Sequence, residues 1–334
     1  MTLFDNNPPN QPDRDSELHL STENPSASAG AQQPSSPLAG DPISYAAHAL
    51  PPKPKLFLPE DLRISWSLVH LIVFTVFGLI SLFVVQFAFA IYYVPASRHF
   101  ANKAELEQFV FSKPFFAVGS MVIWEASLIL FLYVTISVLP NAPFWRSLGW
   151  RKLDPADPAL SRNPWLYLFS GCALSIGVFI VTAKSKAPED APIEELFKHR
   201  STMFLFMAMA VVFAPLVEET LFRGYLFPLL ARLSAALANA LGVESSAAIR
   251  QGVTASIVLT GVLFGLVHGY QLGWSRTFVL CLTMVGIVFT YVRARSGTVY
   301  ASYLLHLGYN STIALATILG FLAAKGFTHM PAGR

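Results

Sequence analysis

The sequence is poor in charged residues. Of its 334 residues, 13% are Asp, Glu, Lys or Arg, whereas 54% are hydrophobic. An ordinary soluble domain carries about 25% charged residues, so the composition argues against that class. The net charge of +3 is too small to indicate a nucleic-acid partner. With several long apolar runs, the chain is expected to cross a lipid bilayer several times.

Cysteine is also scarce. The two cysteines, Cys172 and Cys281, both lie in apolar runs, where a thiol usually serves as a small hydrophobic side chain. We therefore expect neither a disulfide framework nor a cysteine-based metal site. The sequence contains neither the His-Glu-x-x-His motif of zinc proteases nor a Gly-x-Ser-x-Gly elbow. Its start has no basic segment followed by an apolar core, so no signal peptide is predicted.

The chain divides into three predicted regions. Residues 1–60, rich in Pro, Ser, Asn and Gln, are expected to form a disordered tail. Residues 61–200 carry the first membrane helices and loops, and residues 201–325 the remaining helices and the polar groups suited to catalysis. The predicted fold is an all-α, polytopic transmembrane bundle of seven spans, or eight if the segment after Arg223 crosses separately. The apolar runs predict a multi-pass protein of the cell membrane. The basic loop 140–163 is expected to lie in the cytoplasm, and alternation of the spans places the amino terminus on the same side.

The fourth apolar run contains two adjacent carboxylates, Glu218 and Glu219. An ionisable group at bilayer depth costs at least a few kcal/mol, so a pair of them is expected to have a function. Arg223 follows Glu219 by one helical turn, and the two side chains are expected to pair. Pro215 removes one backbone hydrogen bond just before the pair, and a kink there would widen a pocket.

Two later apolar runs each carry a histidine. His268 follows Phe264 by one helical turn, and His306 precedes Asn310 by one turn, so each pair shares a helix face. One glutamate and two histidines suffice for hydrolysis by either of two routes. Glu218, His268 and His306 could hold a zinc ion with an open position for water, or Glu218 could act as general base without metal.

Two other polar features are weaker candidates. Glu125 lies in the second apolar run with no partner nearby in sequence, so a position near an interface or a protonated carboxyl is favoured over a functional role. Glu195 and His199 have the spacing of a metal pair but polar flanks, which favours a surface helix. His70 and His329 stand alone and are assigned no role.

The three polar segments together resemble a known family. Glu-Glu-Thr-Leu-Phe-Arg (218–223), Phe-Gly-Leu-Val-His (264–268) and His-Leu-Gly-Tyr-Asn (306–310) are similar to the three motifs of the CAAX-prenyl protease and bacteriocin-processing, or Abi, family. The motifs occur in the family's order and within apolar helices. The resemblance covers about residues 203 to 322.

The resemblance implies an intramembrane endopeptidase that cuts a peptide near the membrane face. It implies that Glu218 activates water together with His268, that His306 and Asn310 stabilise the oxyanion, and that Glu219 and Arg223 support the base. Family members are often classed as metalloproteases, whereas a metal-free glutamate mechanism has been argued for the prenyl proteases. The implied partners are membrane lipid and a peptide or protein substrate, and Zn²⁺ is the conceivable cofactor.

Two alternatives lead to other functions. A non-catalytic scaffold or bacteriocin-immunity protein would retain the same residues for helix packing. A proton-coupled transporter would use buried carboxylates as a relay, but it is expected to show inverted repeats, which this sequence lacks. The peptidase hypothesis fails if Glu218 lies more than about 10 Å from both His268 and His306.

Overall fold

The computed structural model describes residues 60–95, 97–155, 160–185, 196 and 200–328. The predicted tail lies almost entirely outside these residues, as do Glu195, His199 and His329. Across the described residues the protein is helical and contains no strand, which confirms the predicted all-α class. All the described residues belong to one compact unit.

The described chain forms nine helices, two of them short. They are α1 (Leu68–Tyr93), α2 (Lys103–Phe111), α3 (Pro114–Leu132, continued to Val138), α4 (Phe144–Ser147), α5 (Pro164–Thr182), α6 (Arg200–Ala240), α7 (Ser245–Val267), α8 (Arg276–Ser296) and α9 (Val299–Thr328). A single 3₁₀ turn, Glu60–Leu62, precedes α1.

Seven of these helices are long and apolar enough to cross a membrane, and α2 and α4 are not. The eighth span considered after Arg223 is not formed. Residues 200–240 instead make one continuous helical rod, so the segment after Arg223 extends α6. Because consecutive spans alternate in direction, α1 and α9 begin on the same side of the bundle, where α8 ends.

Helix α6 is interrupted by two π-helical segments, Met209–Phe213 and Thr220–Leu226, on either side of the glutamate pair. π-Helical turns often mark functional sites, because they rotate the side chains that follow and release backbone groups. In the first segment, the amide of Ala214 donates to the carbonyl of Met209, five residues back. In the same register the carbonyl of Ala210 would pair with Pro215, which has no N–H to donate. That carbonyl is therefore left for another donor.

Helix α9, which carries His306 and Asn310, packs closely against α5. The contact depends on Gly171 and Gly308, since a Cβ added to Gly171 would collide with the carbonyl of Leu305 and one added to Gly308 with that of Leu168. Glycine at both crossings lets the two backbones approach to contact, as small residues do in membrane bundles. Position 308 inside the third motif is therefore a packing position.

Candidate active site

Glu218 lies between the two predicted histidines. One carboxylate oxygen is 3.6 Å from Nε2 of His268 and the other is 3.9 Å from Nε2 of His306. Both separations exceed a direct hydrogen bond, but a water molecule beside the carboxylate can reach Glu218 and one histidine together. The distances fall within the 10 Å limit set by the peptidase hypothesis. The catalytic roles of these side chains stay predictions.

Each histidine is oriented by its other ring nitrogen. Nδ1 of His268 lies 2.8 Å from the carbonyl oxygen of Phe264, so this nitrogen carries a proton and donates it. Nδ1 of His306 lies 3.0 Å from a carboxylate oxygen of Glu219 and donates in the same way. Both Nε2 atoms are thereby directed at Glu218. A hydrogen bond of this kind fixes the tautomer and orientation of an imidazole that must act at its second nitrogen.

Glu219 and Arg223 form a closed ionic network beneath the histidines. Nη1 of Arg223 is 3.0 Å from the same Glu219 oxygen that contacts His306, which confirms the predicted pairing at one-turn spacing. Nη2 of Arg223 donates to the carbonyl of Gly286 on α8 at 3.1 Å. Both side chains are fully buried. Glu219 contacts His306 and Arg223. It therefore influences Glu218 indirectly, by holding the His306 ring that faces Glu218.

The contacts of Phe264 give a physical reason for an aromatic residue at this position of the second motif. Its ring lies 4.5 Å below the guanidinium of Arg223 and 4.7 Å from the ring of His268. A cation over an aromatic face is attracted by the ring's negative charge distribution, and the attraction is larger when water is excluded. Phe289 contributes a second ring, 5.3 Å from the guanidinium and 4.8 Å from His306. The aromatic residues therefore hold the ionic network in place.

Asn310 is held by the carbonyl that the π-helical turn releases. Its Nδ2 donates to the carbonyl oxygen of Ala210 at 2.8 Å. This bond uses one of the two amide hydrogens, so the second remains able to donate to another group. Asn310 and His306 also line the same cavity. The backbone irregularity at Pro215 thus has a chemical consequence at the site.

The site opens into an apolar cavity of about 650 Å³ that is lined by residues of α3, α5, α6, α7, α8 and α9. Glu218, His268, His306 and Asn310 line it together with mainly apolar side chains. Glu125, for which the sequence offered no partner, lines the same cavity and lies within electrostatic range of Glu218 and His268. Its Oε2 is buried and has no hydrogen-bond partner in the part of the chain that the structure describes. An unpaired acid at bilayer depth was the signal that could have identified it.

A zinc ion fits this donor set only in part. The two imidazoles are anchored through Nδ1, as zinc ligands usually are. Ligand atoms around a tetrahedral zinc lie roughly 3.3 Å apart when the bonds are about 2.0–2.2 Å. The two histidine nitrogens are 3.6 and 3.9 Å from Glu218, which is wider. Over the described part of the chain, no group of three His, Cys, Asp or Glu forms a metal-binding cluster.

His70 and Tyr225 show how a histidine can serve packing instead. The ring nitrogens of His70 contact the hydroxyl of Tyr225 at 2.7 Å and that of Thr135 at 2.9 Å. These contacts join α1 and α3 to α6, away from the cavity. No catalytic role had been assigned to His70.

Fold and site together define a class: a polytopic helical membrane protein with a cluster of carboxylates and imidazoles inside the bundle. Within that class, residues 200–312 match the family model described as type II CAAX prenyl endopeptidase Rce1-like. The match includes all three motifs and confirms the family resemblance drawn from them. The members of this family are intramembrane proteases of the CAAX type. No curated protein and no solved structure shows significant similarity to the chain.

Proposed function

We propose that this protein is an intramembrane endopeptidase in which Glu218 activates the attacking water. The observation that carries the proposal is the convergence of His268 and His306 on the two oxygens of one glutamate inside the membrane domain. The family match supports the same activity. The family is described as a CAAX prenyl endopeptidase, and the apolar cavity of about 650 Å³ is compatible with a lipidated or strongly apolar peptide end.

In the first step, Glu218 accepts a proton from water while the water oxygen attacks the scissile carbonyl carbon. The C–O bond forms as the carbonyl π electrons move onto the oxygen. His268, held by Phe264, orients this water through Nε2. A positioned base of this kind contributes a rate factor of about 10²–10⁴.

The negative charge of the tetrahedral intermediate is stabilised on the opposite side of the site. Asn310 offers its second amide hydrogen to the oxyanion. His306, in its doubly protonated form, offers Nε2–H while Nδ1–H stays on Glu219. Donors fixed in advance by Ala210 and Glu219 need no reorganisation when charge develops.

In the last step the C–N bond breaks and the leaving amine takes up a proton. Glu218, which holds the proton taken from water, supplies it directly or through His268. The carboxylate is thereby regenerated. Zinc assistance is the alternative route, and the wide spacing of the three donors favours the metal-free one. Elemental analysis of active protein, with chelator inhibition, distinguishes the two routes.

The deciding experiment compares Glu218→Gln with wild type on fluorogenic peptides that carry or lack a prenylated cysteine near the carboxyl end. We expect kcat to fall by about 10²–10⁴-fold while the melting temperature stays close to that of wild type. Glu105→Gln, a change of an exposed, salt-bridged glutamate on α2, is the matched control and should retain activity.

The two hypotheses give different outcomes. Full activity of Glu218→Gln would refute the assigned chemistry. If neither the wild type nor the control cleaves any peptide, and the variant loses folding instead, the scaffold or immunity hypothesis gains support.

A further inference from the structure

A second cavity lies at the other end of the bundle. It has a volume of about 230 Å³ and shares no lining residue with the catalytic cavity. Its walls come from the 3₁₀ turn before α1, the segment around α4, the middle of α6 and the end of α8. One water needs only about 10–15 Å³ of such space, so the cavity has room for a polyatomic ion. We call it the arginine pocket, because four of its lining residues are Arg63, Arg146, Arg151 and Arg293.

Arg293 is the buried member of this group. It is 1% exposed, and its Nη1 lies 3.7 Å from Asp61, beyond hydrogen-bond distance. Its Nε and Nη1 have no acceptor among the described residues, and neither has Nε of Arg151. Arg151 also lies near enough to repel Arg293. Each guanidinium group has one acid within 4 Å, but three of their buried nitrogens have no hydrogen-bond acceptor among the described residues, which leaves donors for a bound anion.

The backbone around the guanidinium is shaped to admit it. Gly149 has a φ of +80°, and a Cβ built there would lie 2.7 Å from Nη2 of Arg293. Any other residue at position 149 would therefore meet both backbone strain and a collision. The loop after α4 closes over Arg293 with a backbone that only glycine adopts easily. The position of this arginine at the pocket wall is thus built into the fold.

The charges that line the pocket do not cancel. Glu60 is 3.2 Å from Arg151 and Asp61 is 3.7 Å from Arg293, and the exposed guanidinium of Arg146 adds a further positive charge to these two pairs. Arginine forks suit the tetrahedral oxygens of phosphate, and basic pockets between helix ends at a membrane face commonly hold lipid headgroups. The pocket lies beside the start of α1 and the end of α8, at the ends of two helices long and apolar enough to cross a membrane.

We propose that the arginine pocket binds a phosphate group, supplied by an anionic phospholipid or by a soluble phosphate. Gly224, which follows Arg223 of the ionic network, lines the pocket together with Pro228. A phosphate group bound in the pocket would therefore contact the α4 segment, the end of α8 and the helix that carries the glutamate pair. A ligand that binds only the folded protein raises its stability by mass action.

The test measures thermal unfolding of the whole protein in a phosphate-free maltoside detergent. One arm titrates inorganic phosphate against chloride at equal ionic strength. The other adds phosphatidylglycerol against a diacylglycerol of the same chains, which lacks the phosphate. We expect a rise in Tm of a few degrees in at least one arm. Arg146→Gln, which changes an exposed lining residue, should weaken binding and raise the half-saturating ligand concentration by about tenfold.

Arg162→Gln is the matched control, because Arg162 is an exposed arginine of the same inter-helix segment that pairs with Asp154 and does not line the pocket. Its response should equal that of wild type. A rise with phosphatidylglycerol alone supports a lipid headgroup site, and a rise with inorganic phosphate supports a site for soluble phosphate. No rise in either arm, or an equal response in Arg146→Gln and wild type, would overturn the proposal. Peptidase activity is not measured, so the outcome is independent of the proposed function.

Discussion

The two buried arginines, Arg223 and Arg293, show two ways of holding a cation inside this bundle. Both are at most 1% exposed, and in both Nε lacks a hydrogen-bond acceptor among the described residues. Arg223 is 3.0 Å from a fully buried carboxylate, donates to a backbone carbonyl and lies over an aromatic ring. Arg293 has a carboxylate at 3.7 Å and a polar cavity beside it.

The difference is one of charge compensation. Around Arg223 the chain supplies a carboxylate at 3.0 Å, a backbone carbonyl at 3.1 Å and an aromatic ring at 4.5 Å, so the charge is closely paired although Nε has no hydrogen-bond acceptor among the described residues. Around Arg293 the chain supplies less, and the charge is available to a ligand from outside. Removing one partner of a buried ion pair is expected to lower the free energy of unfolding more than removing a cation that lies beside a hydrated cavity. The predictions below test this contrast.

The largest effect is expected for Arg223→Gln. The change leaves the buried carboxyl of Glu219 without its cation, and the acceptor of His306 is no longer held in place. We expect the free energy of unfolding in mixed micelles to fall by about 3–5 kcal/mol and peptidase activity to be lost. The comparison variant is Arg162→Gln, which removes an exposed arginine and should change stability by less than about 1 kcal/mol. A loss as small as that of the control would show that the network is not closed.

The next effect is expected for Arg293→Gln. Because its ion pair with Asp61 is longer and the cavity beside it admits water, we expect a loss of about 1–3 kcal/mol, smaller than for Arg223→Gln. The response of Tm to phosphate or phosphatidylglycerol should also be lost. Equal losses of stability for the two arginine variants, measured in the same micelles without phosphate, would remove the contrast between the two sites.

The sequence predicts the catalytic region much better than the arginine pocket, for a physical reason. Glu218, His268 and His306 stand out because polar groups at helical spacing in apolar runs are costly and must converge. Glu219 and Arg223 are one turn apart, so their pairing is local. Asp61 and Arg293 come from opposite ends of the membrane domain, at helix ends where charged residues are common. Nothing in their spacing indicates that they meet.

Two features inside the catalytic region were also beyond sequence reasoning. Pro215 indicates a lost backbone bond, but the acceptor that it leaves at Ala210 gains meaning only when Asn310 arrives from α9. Glu125 had no partner within its own helix, and its place at the cavity depends on how α3 packs against α6. Both depend on tertiary contacts between distant helices, whereas the seven spans follow from local composition alone.

A moderate effect is expected for Glu125→Gln. Glu125 lines the catalytic cavity, and its buried Oε2 has no hydrogen-bond partner among the described residues. Its electrostatic influence on Glu218 and His268 should make kcat fall by about tenfold, equivalent to about 1.4 kcal/mol in the barrier, with little change in Tm. The pH dependence of kcat should change as well, which a purely packing role would not produce. Glu105→Gln serves as the control, and an unaltered pH profile would exclude Glu125 from the site's electrostatics.

The smallest effect has the opposite sign. Asp61→Asn removes the acid that partly compensates Arg293, so the positive excess of the arginine pocket grows by one charge. We expect phosphate, or phosphatidylglycerol, to bind about two- to fivefold more tightly, corresponding to a change of about 0.5–1 kcal/mol. Asp154→Asn, which removes an exposed acid paired with Arg162, should leave the affinity unchanged. In the closed network the same kind of change, Glu219→Gln, can only weaken the site, because no outside anion can reach Arg223. Weaker phosphate binding by Asp61→Asn would mean that Asp61 shapes the pocket more than it opposes the anion.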